Sequence, residues 1–229
     1  MIEYDLEAIV PPYITDYLRA HSTHKDEFLH ELEDYAEKNK VPIIEPESAR
    51  FLETICSMKM PEHILEIGCA IGYSSILMAK TCPNAQISTI EYSSEMAAIA
   101  RENIKKAELE DRIRIIEADA KDYVSYIDED ECFDLIFLDG PKAHYYYMLD
   151  DCVRMLKKGG VLICDNVLYK GMTADDAHVI KRKITIVNRL REFIDTLCEH
   201  PQLKSSVLPL GDGITLSVKI KSDLEYFGF

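Results

Sequence analysis

Three oxygen-bearing side chains follow two apolar runs that the sequence predicts to be strands. Asp139 directly follows the fourth predicted strand, and Asp165 with Asn166 follows the fifth. Carboxylate and amide oxygens are hard ligands, which suit Mg²⁺, Ca²⁺ or Mn²⁺ better than zinc. Lys142, three residues after Asp139, could act as a general base beside such a cation, or it could be an ordinary surface lysine. The spacing therefore favours a site for one hard divalent cation with a lysine next to it.

A glycine-bearing turn follows the first predicted strand. The run 64–67 is apolar except for Glu66, and Gly68 and Gly72 break it before a helix restarts. The turn lacks two of the three glycines of the dinucleotide-binding fingerprint, so that motif is absent. It also has no Lys-Ser/Thr pair, which excludes a phosphate-binding P-loop. Glu66 could meet a cationic or hydroxyl-bearing ligand, although a purely structural turn is the alternative.

Strands and helices alternate along the middle of the chain, which predicts a parallel sheet. The five predicted parallel strands are 64–67, 86–90, 113–116, 134–138 and 161–164. Helical spacing predicts amphipathic helices within 3–40, a helix over 47–58 and a long helix over about 178–199. Alternation over 206–210 and 214–220 predicts a C-terminal hairpin. We expect one α/β domain over 1–229, with an N-terminal helical cap (1–58) and a catalytic core (59–229).

Acidic groups recur at the predicted carboxyl ends of the strands, where parallel sheets bind ligands. Helix capping would explain any one of them but fits the whole set badly. Glu91, after the second strand, can accept hydrogen bonds from both hydroxyls of a ribose. These groups are Glu66, Glu91, Asp119, Asp139 and Asp165 with Asn166.

Composition limits the classes of protein and partner. The 229 residues carry a net charge of −15, which opposes nucleic-acid binding, yet positive charges cluster within 170–191. That cluster could also be a solvated helix face. Seven cysteines without a C-x-x-C pair argue against a disulfide framework or a zinc knuckle. No apolar run approaches the ~20 residues that span a bilayer, and the N-terminus lacks signal-peptide features, so we expect a cytoplasmic protein without membrane contact.

The glycine turn resembles the first motif of S-adenosylmethionine-dependent methyltransferases. Its sequence over 66–74, Glu-Ile-Gly-Cys-Ala-Ile-Gly-Tyr-Ser, resembles the metal-dependent O-methyltransferases of the catechol and caffeoyl-CoA type. The resemblance implies a Rossmann-like, seven-stranded class I methyltransferase sheet, S-adenosylmethionine as cofactor and Mg²⁺ or another hard divalent cation. It implies Lys142 and Asp139 as catalytic residues, and Asp139, Asp165 and Asn166 as metal ligands. The implied cofactor-binding residues are Ile44, Glu66, Gly68, Tyr73, Ser74, Glu91, Asp119, Ala120 and Asp139.

Further motifs resemble the bacterial tRNA 5-hydroxyuridine methyltransferases within that family. They are Val-Pro-Ile at 41–43, Asp-Asn-Val-Leu-Tyr-Lys-Gly at 165–171 and Pro-Leu-Gly-Asp-Gly at 209–213. This resemblance implies methylation of 5-hydroxyuridine at the tRNA wobble position. The basic residues that could hold anticodon phosphates are Lys170, Lys181, Arg182 and Lys183.

Two other functions compete with this expectation. The first is a small-molecule catechol or phenol O-methyltransferase with the same metal chemistry, and the second is a non-enzymatic S-adenosylmethionine-binding regulator. The regulator would have no need of Asp139, Asp165, Asn166 and Lys142 together. Family resemblance also implies a homodimer, with the N-terminal helices or the apolar tail 226–229 as candidate interfaces.

Overall fold

The computed structural model describes residues 9–222 and 225–226. The predicted helical stretch 3–8 and most of the apolar tail 226–229 lie outside these ranges. Seven strands form one sheet in the order β3-β2-β1-β4-β5-β7-β6. Strands β1 to β5 are parallel, and β7 pairs antiparallel with β5 and β6. The class I methyltransferase sheet with a C-terminal hairpin, predicted from the sequence, is confirmed.

The five parallel strands end close to where the sequence predicts them to end, but β5 starts earlier, and the first hairpin strand covers 203–208 instead of 206–210. The strand β5 begins at Leu156 instead of residue 161, because Leu156 pairs with Phe133 across a register shift in β4. Gly159, at a φ of 77°, lets the chain pass this irregular stretch. The strands are β1 His63–Ile67, β2 Gln86–Glu91, β3 Ile113–Glu117, β4 Phe133–Leu138, β5 Leu156–Cys164, β6 Leu203–Leu208 and β7 Ile214–Lys219.

Helices cover both faces of the sheet, and each face has its own apolar core. Successive residues of β4 alternate between the two cores, with Leu135 and Phe137 in one and Ile136 and Leu138 in the other. Burial on both faces explains the nearly continuous apolar runs of the central strands. The helices are α1 Pro12–Ala20, α2 Glu27–Asn39, α3 Pro46–Lys59, α4 Tyr73–Thr81, α5 Ser94–Lys106, α6 Ala120–Ser125, α7 Tyr145–Met155 and α8 Ile184–Glu199.

The helix α8 begins at Ile184, six residues later than the sequence predicts. Residues 176–178 and 181–183 form two short 3₁₀ turns instead. Ile180 and Ile184 are each 51% exposed, so the first part of the predicted apolar stripe has no core to pack against. Arg191 of α8 donates hydrogen bonds to the backbone carbonyls of Thr173 and Met172, and these bonds hold the loop between β5 and α8 against the helix.

No helix among residues 9–222 and 225–226 is long and apolar enough to cross a membrane. The helices α2 and α3 contribute side chains to the same apolar core as α4 and the sheet. The helices α2 and α3 therefore pack as part of the sheet's cover.

This packing predicts the effect of shortening one α3 side chain. Leu52 is fully buried, so Leu52→Ala should lower the free energy of unfolding by about 2–5 kcal/mol. Met58, on the same helix, is 78% exposed, and Met58→Ala should change stability by less than ~0.5 kcal/mol. Urea unfolding followed by circular dichroism measures both. Equal, small losses would contradict the integration of α3 into the core.

Candidate functional site

A cavity of about 690 Å³ lies at the carboxyl ends of the parallel strands. Residues 41–43, in the segment before α3, form part of its wall. Seven of the expected site residues border this one space, whereas the buried Asp165 is not part of its lining. The cavity-lining members of the predicted set are Gly68, Glu91, Asp119, Ala120, Asp139, Lys142 and Asn166.

The turn after β1 packs directly against the end of β4. Gly68 has a φ of 102°, and a Cβ atom placed on it would lie 2.3 Å from the carbonyl oxygen of Asp139. The Gly68 N–H donates to the carbonyl of Ile90 at 3.0 Å, and the Asp139 N–H donates to the carbonyl of Ile67 at 2.8 Å. The absence of a side chain at Gly68 therefore brings the ends of three neighbouring strands together.

Glu91 and Asp119 form the part of the cavity at the ends of β2 and β3. The two oxygens of Glu91 each accept one backbone hydrogen bond at 2.8 Å, from the N–H of Ala70 and of Ser93. Each oxygen retains a second lone pair, so the carboxylate can accept two further bonds. Asp119 caps α6 by accepting from the Lys121 N–H at 3.0 Å. Both carboxylates are held by backbone groups and can receive hydroxyl or amino donors from a ligand.

Asp139, Asp165 and Lys142 meet where β4 and β5 end side by side. The Lys142 ammonium lies 2.7 Å from Asp139 Oδ1. Asp165 is only 1% exposed. This burial is the main cause that raises the pKa of its carboxyl group, and the charge of Asp139 adds to it, whereas the charge of Lys142 opposes the shift. Asn166 adopts the left-handed region, with a φ of 57°, and its N–H donates to Asp165 Oδ1 at 2.7 Å.

The donor set fits a hard divalent cation. The charges of Asp139 and Asp165 disfavour each other, so a positive ion bound between the two carboxylates would stabilise both. The Asn166 side chain makes no hydrogen bond to any other described residue, so its amide oxygen is available as a ligand. Within the described part of the chain, no group of three His, Cys, Asp or Glu side chains could hold a metal ion. The third protein oxygen would therefore have to come from the amide of Asn166.

Asp212 is a further acidic residue near this site; its motif at 209–213 carries part of the family resemblance, but it is not among the expected site residues. The hairpin turn that contains it packs on the loop after Asn166, where Asp212 Oδ1 accepts from the Lys170 N–H at 2.5 Å. Burial raises the pKa of Asp212, while the Lys170 N–H and the charge of Lys142 lower it. Its Gly-Asp-Gly setting indicates only a turn, and its proximity to Lys142 arises from the fold.

Four residues expected to bind the cofactor lie outside the cavity lining. Ile44 is buried in the apolar core, and the Tyr73 hydroxyl donates to Glu33 at 2.5 Å. Glu66 is fully buried and accepts hydrogen bonds from the hydroxyls of Ser74, Ser75 and Thr89. These side chains therefore bind other parts of the protein and support the turn from behind.

The basic residues expected to contact tRNA also lie outside the cavity lining. Lys181 and Arg182 are exposed in the second 3₁₀ turn, on the loop between β5 and α8. The Lys183 ammonium stands 5.6 Å from the centre of the Tyr169 ring. The expectation of a basic helix face is wrong for 181–183, because α8 starts only at Ile184.

A methyl group at Gly68 tests the close approach of β1 and β4. Gly68→Ala adds both a steric clash with Asp139 and an unfavourable φ, whereas Gly159→Ala adds only the unfavourable φ, since no atom lies within 4 Å of its Cβ position. We expect Gly68→Ala to cost about 1–3 kcal/mol more than Gly159→Ala in urea unfolding. Equal costs would show that the clash is absent.

The buried carboxyl group of Glu66 should make the free energy of unfolding depend on pH. Burial raises the pKa of Glu66 from 4.5 to about 7 despite its three hydroxyl donors. The folded protein therefore holds this proton more tightly than the unfolded chain, and the associated stability is lost as the pH rises from about 4.5 to about 7. This loss is ~3 kcal/mol in wild type and should be absent in Glu66→Gln. Glu62→Gln, at an exposed position, serves as control. A constant stability difference between Glu66→Gln and wild type across this pH range would contradict the assignment.

Comparison with known proteins places the chain in a family. A family model described as O-methyltransferase matches residues 19–220. Catechol O-methyltransferase B of Danio rerio is 35% identical over 133 residues, which are 55% of this chain and only half of that protein's length. Caffeoyl-CoA O-methyltransferase of Populus kitakamiensis is 28% identical over 182 residues, covering 77% of this chain and 76% of that protein.

A solved structure extends the match to nearly the whole fold. The O-methyltransferase from Bacillus cereus, in complex with SAH, has a TM-score of 0.78 and 27% identity, and the match covers 90% of this chain and 97% of that one. The agreement of the family match with the architecture leads to one conclusion: this chain belongs to the O-methyltransferase family.

Proposed function

We propose that this chain transfers a methyl group from S-adenosylmethionine to one of two adjacent oxygens on a small catechol-like substrate. One observation carries the proposal: a single cavity is bordered by Gly68, Glu91 and Asp119 at the ends of β1 to β3 and by Asp139, Lys142 and Asn166 after β4 and β5. The SAH bound to the Bacillus cereus enzyme and the names of the catechol and caffeoyl-CoA relatives support the cofactor and the substrate class.

The cofactor would lie along the wall formed by the glycine turn. S-adenosylmethionine supplies a methyl group on a positively charged sulfur. Glu91, already fixed by two backbone hydrogen bonds, would accept the ribose hydroxyls with its free lone pairs. Asp119 and the backbone of Ala120 would contact the base, and the bare backbone of Gly68 leaves room for the methionine part. Ile44, Glu66, Tyr73 and Ser74 would support this wall from behind.

Asp139, Asp165 and Asn166 would hold one Mg²⁺ ion through their side-chain oxygens. When bound, such an ion lowers the pKa of a substrate hydroxyl and fixes two adjacent substrate oxygens. Lys142, held 2.7 Å from Asp139, lines the same cavity and would face the reacting hydroxyl. As an ammonium it would stabilise the negative oxygen that remains, and only as a neutral amine could it receive the hydroxyl proton. His144, also in the lining, would border the substrate ring.

The second candidate substrate is 5-hydroxyuridine at the wobble position of tRNA. Its O4 and 5-hydroxyl are adjacent oxygens on a flat ring, as in catechol, so the same site chemistry applies. Four cations on the loop after Asn166, of which three are exposed and Lys183 is half-buried, favour this candidate, because anticodon phosphates need such partners. The net charge of −15 and the names of the relatives favour the small substrate. The cations in question are Lys170, Lys181, Arg182 and Lys183.

The N-terminal segment 1–58 would act as a cap on the catalytic core 59–229. Residues 41–43 of this segment form part of the cavity wall, which supports the assignment. We also propose a homodimer whose contact includes α1, where Tyr13 and Tyr17 are exposed.

Transfer of labelled methyl from S-adenosylmethionine tests the proposal. Catechol and tRNA that contains 5-hydroxyuridine are offered separately, each with Mg²⁺ and with excess EDTA. We expect Mg²⁺-dependent labelling of catechol, which Asp165→Ala abolishes without a change in S-adenosylhomocysteine affinity. Asp150→Ala, which removes an exposed carboxylate, should behave as wild type.

The two substrates separate the candidates. Labelling of the tRNA alone, weakened when Lys181, Arg182 and Lys183 are all replaced by alanine, would select the second candidate. Equal labelling in EDTA would overturn the metal assignment, and no transfer to either substrate would overturn the proposed substrate class.

A further inference from the structure

The hydroxyl group of Tyr145 lies between the ends of the two strands that carry the carboxylates. Its oxygen is 2.9 Å from the carbonyl oxygen of Leu138 and 3.1 Å from that of Asp165. Leu138 is the last residue of β4 and directly precedes Asp139. Tyr145 is fully buried, so water cannot replace its hydroxyl as a donor to these carbonyls.

The strand ends need such a link because the ladder of the sheet stops there. The last register pair of β4 and β5 is Leu138 with Cys164, and one further hydrogen bond runs from the Asp165 N–H to the Leu138 carbonyl at 3.0 Å. Beyond this point the like charges of Asp139 and Asp165 oppose each other. The Tyr145 hydroxyl is a donor that reaches the backbone of both strand ends.

The ring of Tyr145 is itself fixed by two contacts. The Phe193 ring of α8 meets it edge-on, with the centroids 5.5 Å apart and the planes at 66°. The Lys142 ammonium lies 5.5 Å from the centre of the Tyr145 ring. One side chain therefore contacts the backbone beside Asp139, the backbone of Asp165 and the lysine that pairs with Asp139.

We propose that Tyr145 is a positioning residue that fixes the spacing of the Asp139 and Asp165 carboxylates and thereby sets the affinity of the site for a divalent cation. This inference rests on the proposed function, which assigns a cation to that pair. Groups that orient metal ligands without touching the metal typically change metal affinity by about 10–100-fold when they are removed.

Tyr145→Phe tests the proposal because it removes the hydroxyl and keeps the ring that contacts Phe193 and Lys142. Mn²⁺ is titrated into the full-length protein without substrate, and free Mn²⁺ is measured by electron paramagnetic resonance. We expect Tyr145→Phe to bind Mn²⁺ about 10–100-fold more weakly than wild type, with unchanged affinity for S-adenosylhomocysteine. Tyr146→Phe is the matched control, because the Tyr146 hydroxyl makes no hydrogen bond to any described residue.

A second variant separates positioning from general stability. Phe193→Leu loosens the packing of the Tyr145 ring but keeps the hydroxyl, so it should lower the stability to urea with a smaller loss of Mn²⁺ affinity. Wild-type Mn²⁺ affinity in Tyr145→Phe would overturn the proposal, and so would a loss of affinity that merely follows stability across the variants. Failure of the wild-type protein to bind Mn²⁺ would overturn the cation assignment of the proposed function as well.

Discussion

The contact between Gly68 and the backbone of Asp139 is the constraint on which the rest of the site depends. The turn after β1 carries the wall assigned to the cofactor, and the end of β4 carries the first carboxylate of the pair assigned to a cation. A side chain at residue 68 would separate them, since its Cβ atom would lie 2.3 Å from the Asp139 carbonyl oxygen. The donor of a methyl group and its acceptor must lie side by side for transfer, and this glycine brings their proposed binding sites together.

Negative charge concentrated at one edge of the sheet is the second constraint. The fold stabilises this charge with groups of different kinds. The Lys142 ammonium pairs with Asp139, backbone N–H groups donate to Glu91 and Asp165, and hydroxyl groups donate to Glu66. Asp165 remains the least stabilised member, because it is buried beside another carboxylate. A carboxylate whose pKa is raised by burial and by a neighbouring like charge is a candidate for a functional site. A divalent cation bound between Asp139 and Asp165 would supply the missing positive charge.

The sequence predicted the sheet and its chemical edge because both follow from short-range patterns. Parallel strands end at one edge, so residues directly after them, such as Glu91 and Asp139, meet there whatever the loops do. The neighbouring positions of β4 and β5 then bring Asp165 to Asp139. Residues 178–183 could not be assigned in the same way, because their apolar spacing suits a helix while no core surface lies opposite Ile180.

Contacts over long sequence distances were beyond the reach of the sequence. Asp212 lies in a hairpin turn whose residue types indicate only a turn, and the loop after Asn166 brings it near Lys142. Tyr145 lies in a run of three tyrosines, and nothing local distinguishes the buried hydroxyl from its neighbours. The side chains of Ile44, Tyr73 and Ser74 were expected at the cavity, whereas each has a protein partner or an apolar environment behind it.

Crystals grown with Mn²⁺ and S-adenosylhomocysteine test the central claim most directly, through anomalous diffraction at the manganese absorption edge. We predict one anomalous peak among the oxygens of Asp139, Asp165 and Asn166, with the ribose hydroxyls on Glu91. A nucleoside in the cavity without a peak at the carboxylates, or a peak at another place on the chain, would contradict the proposed site.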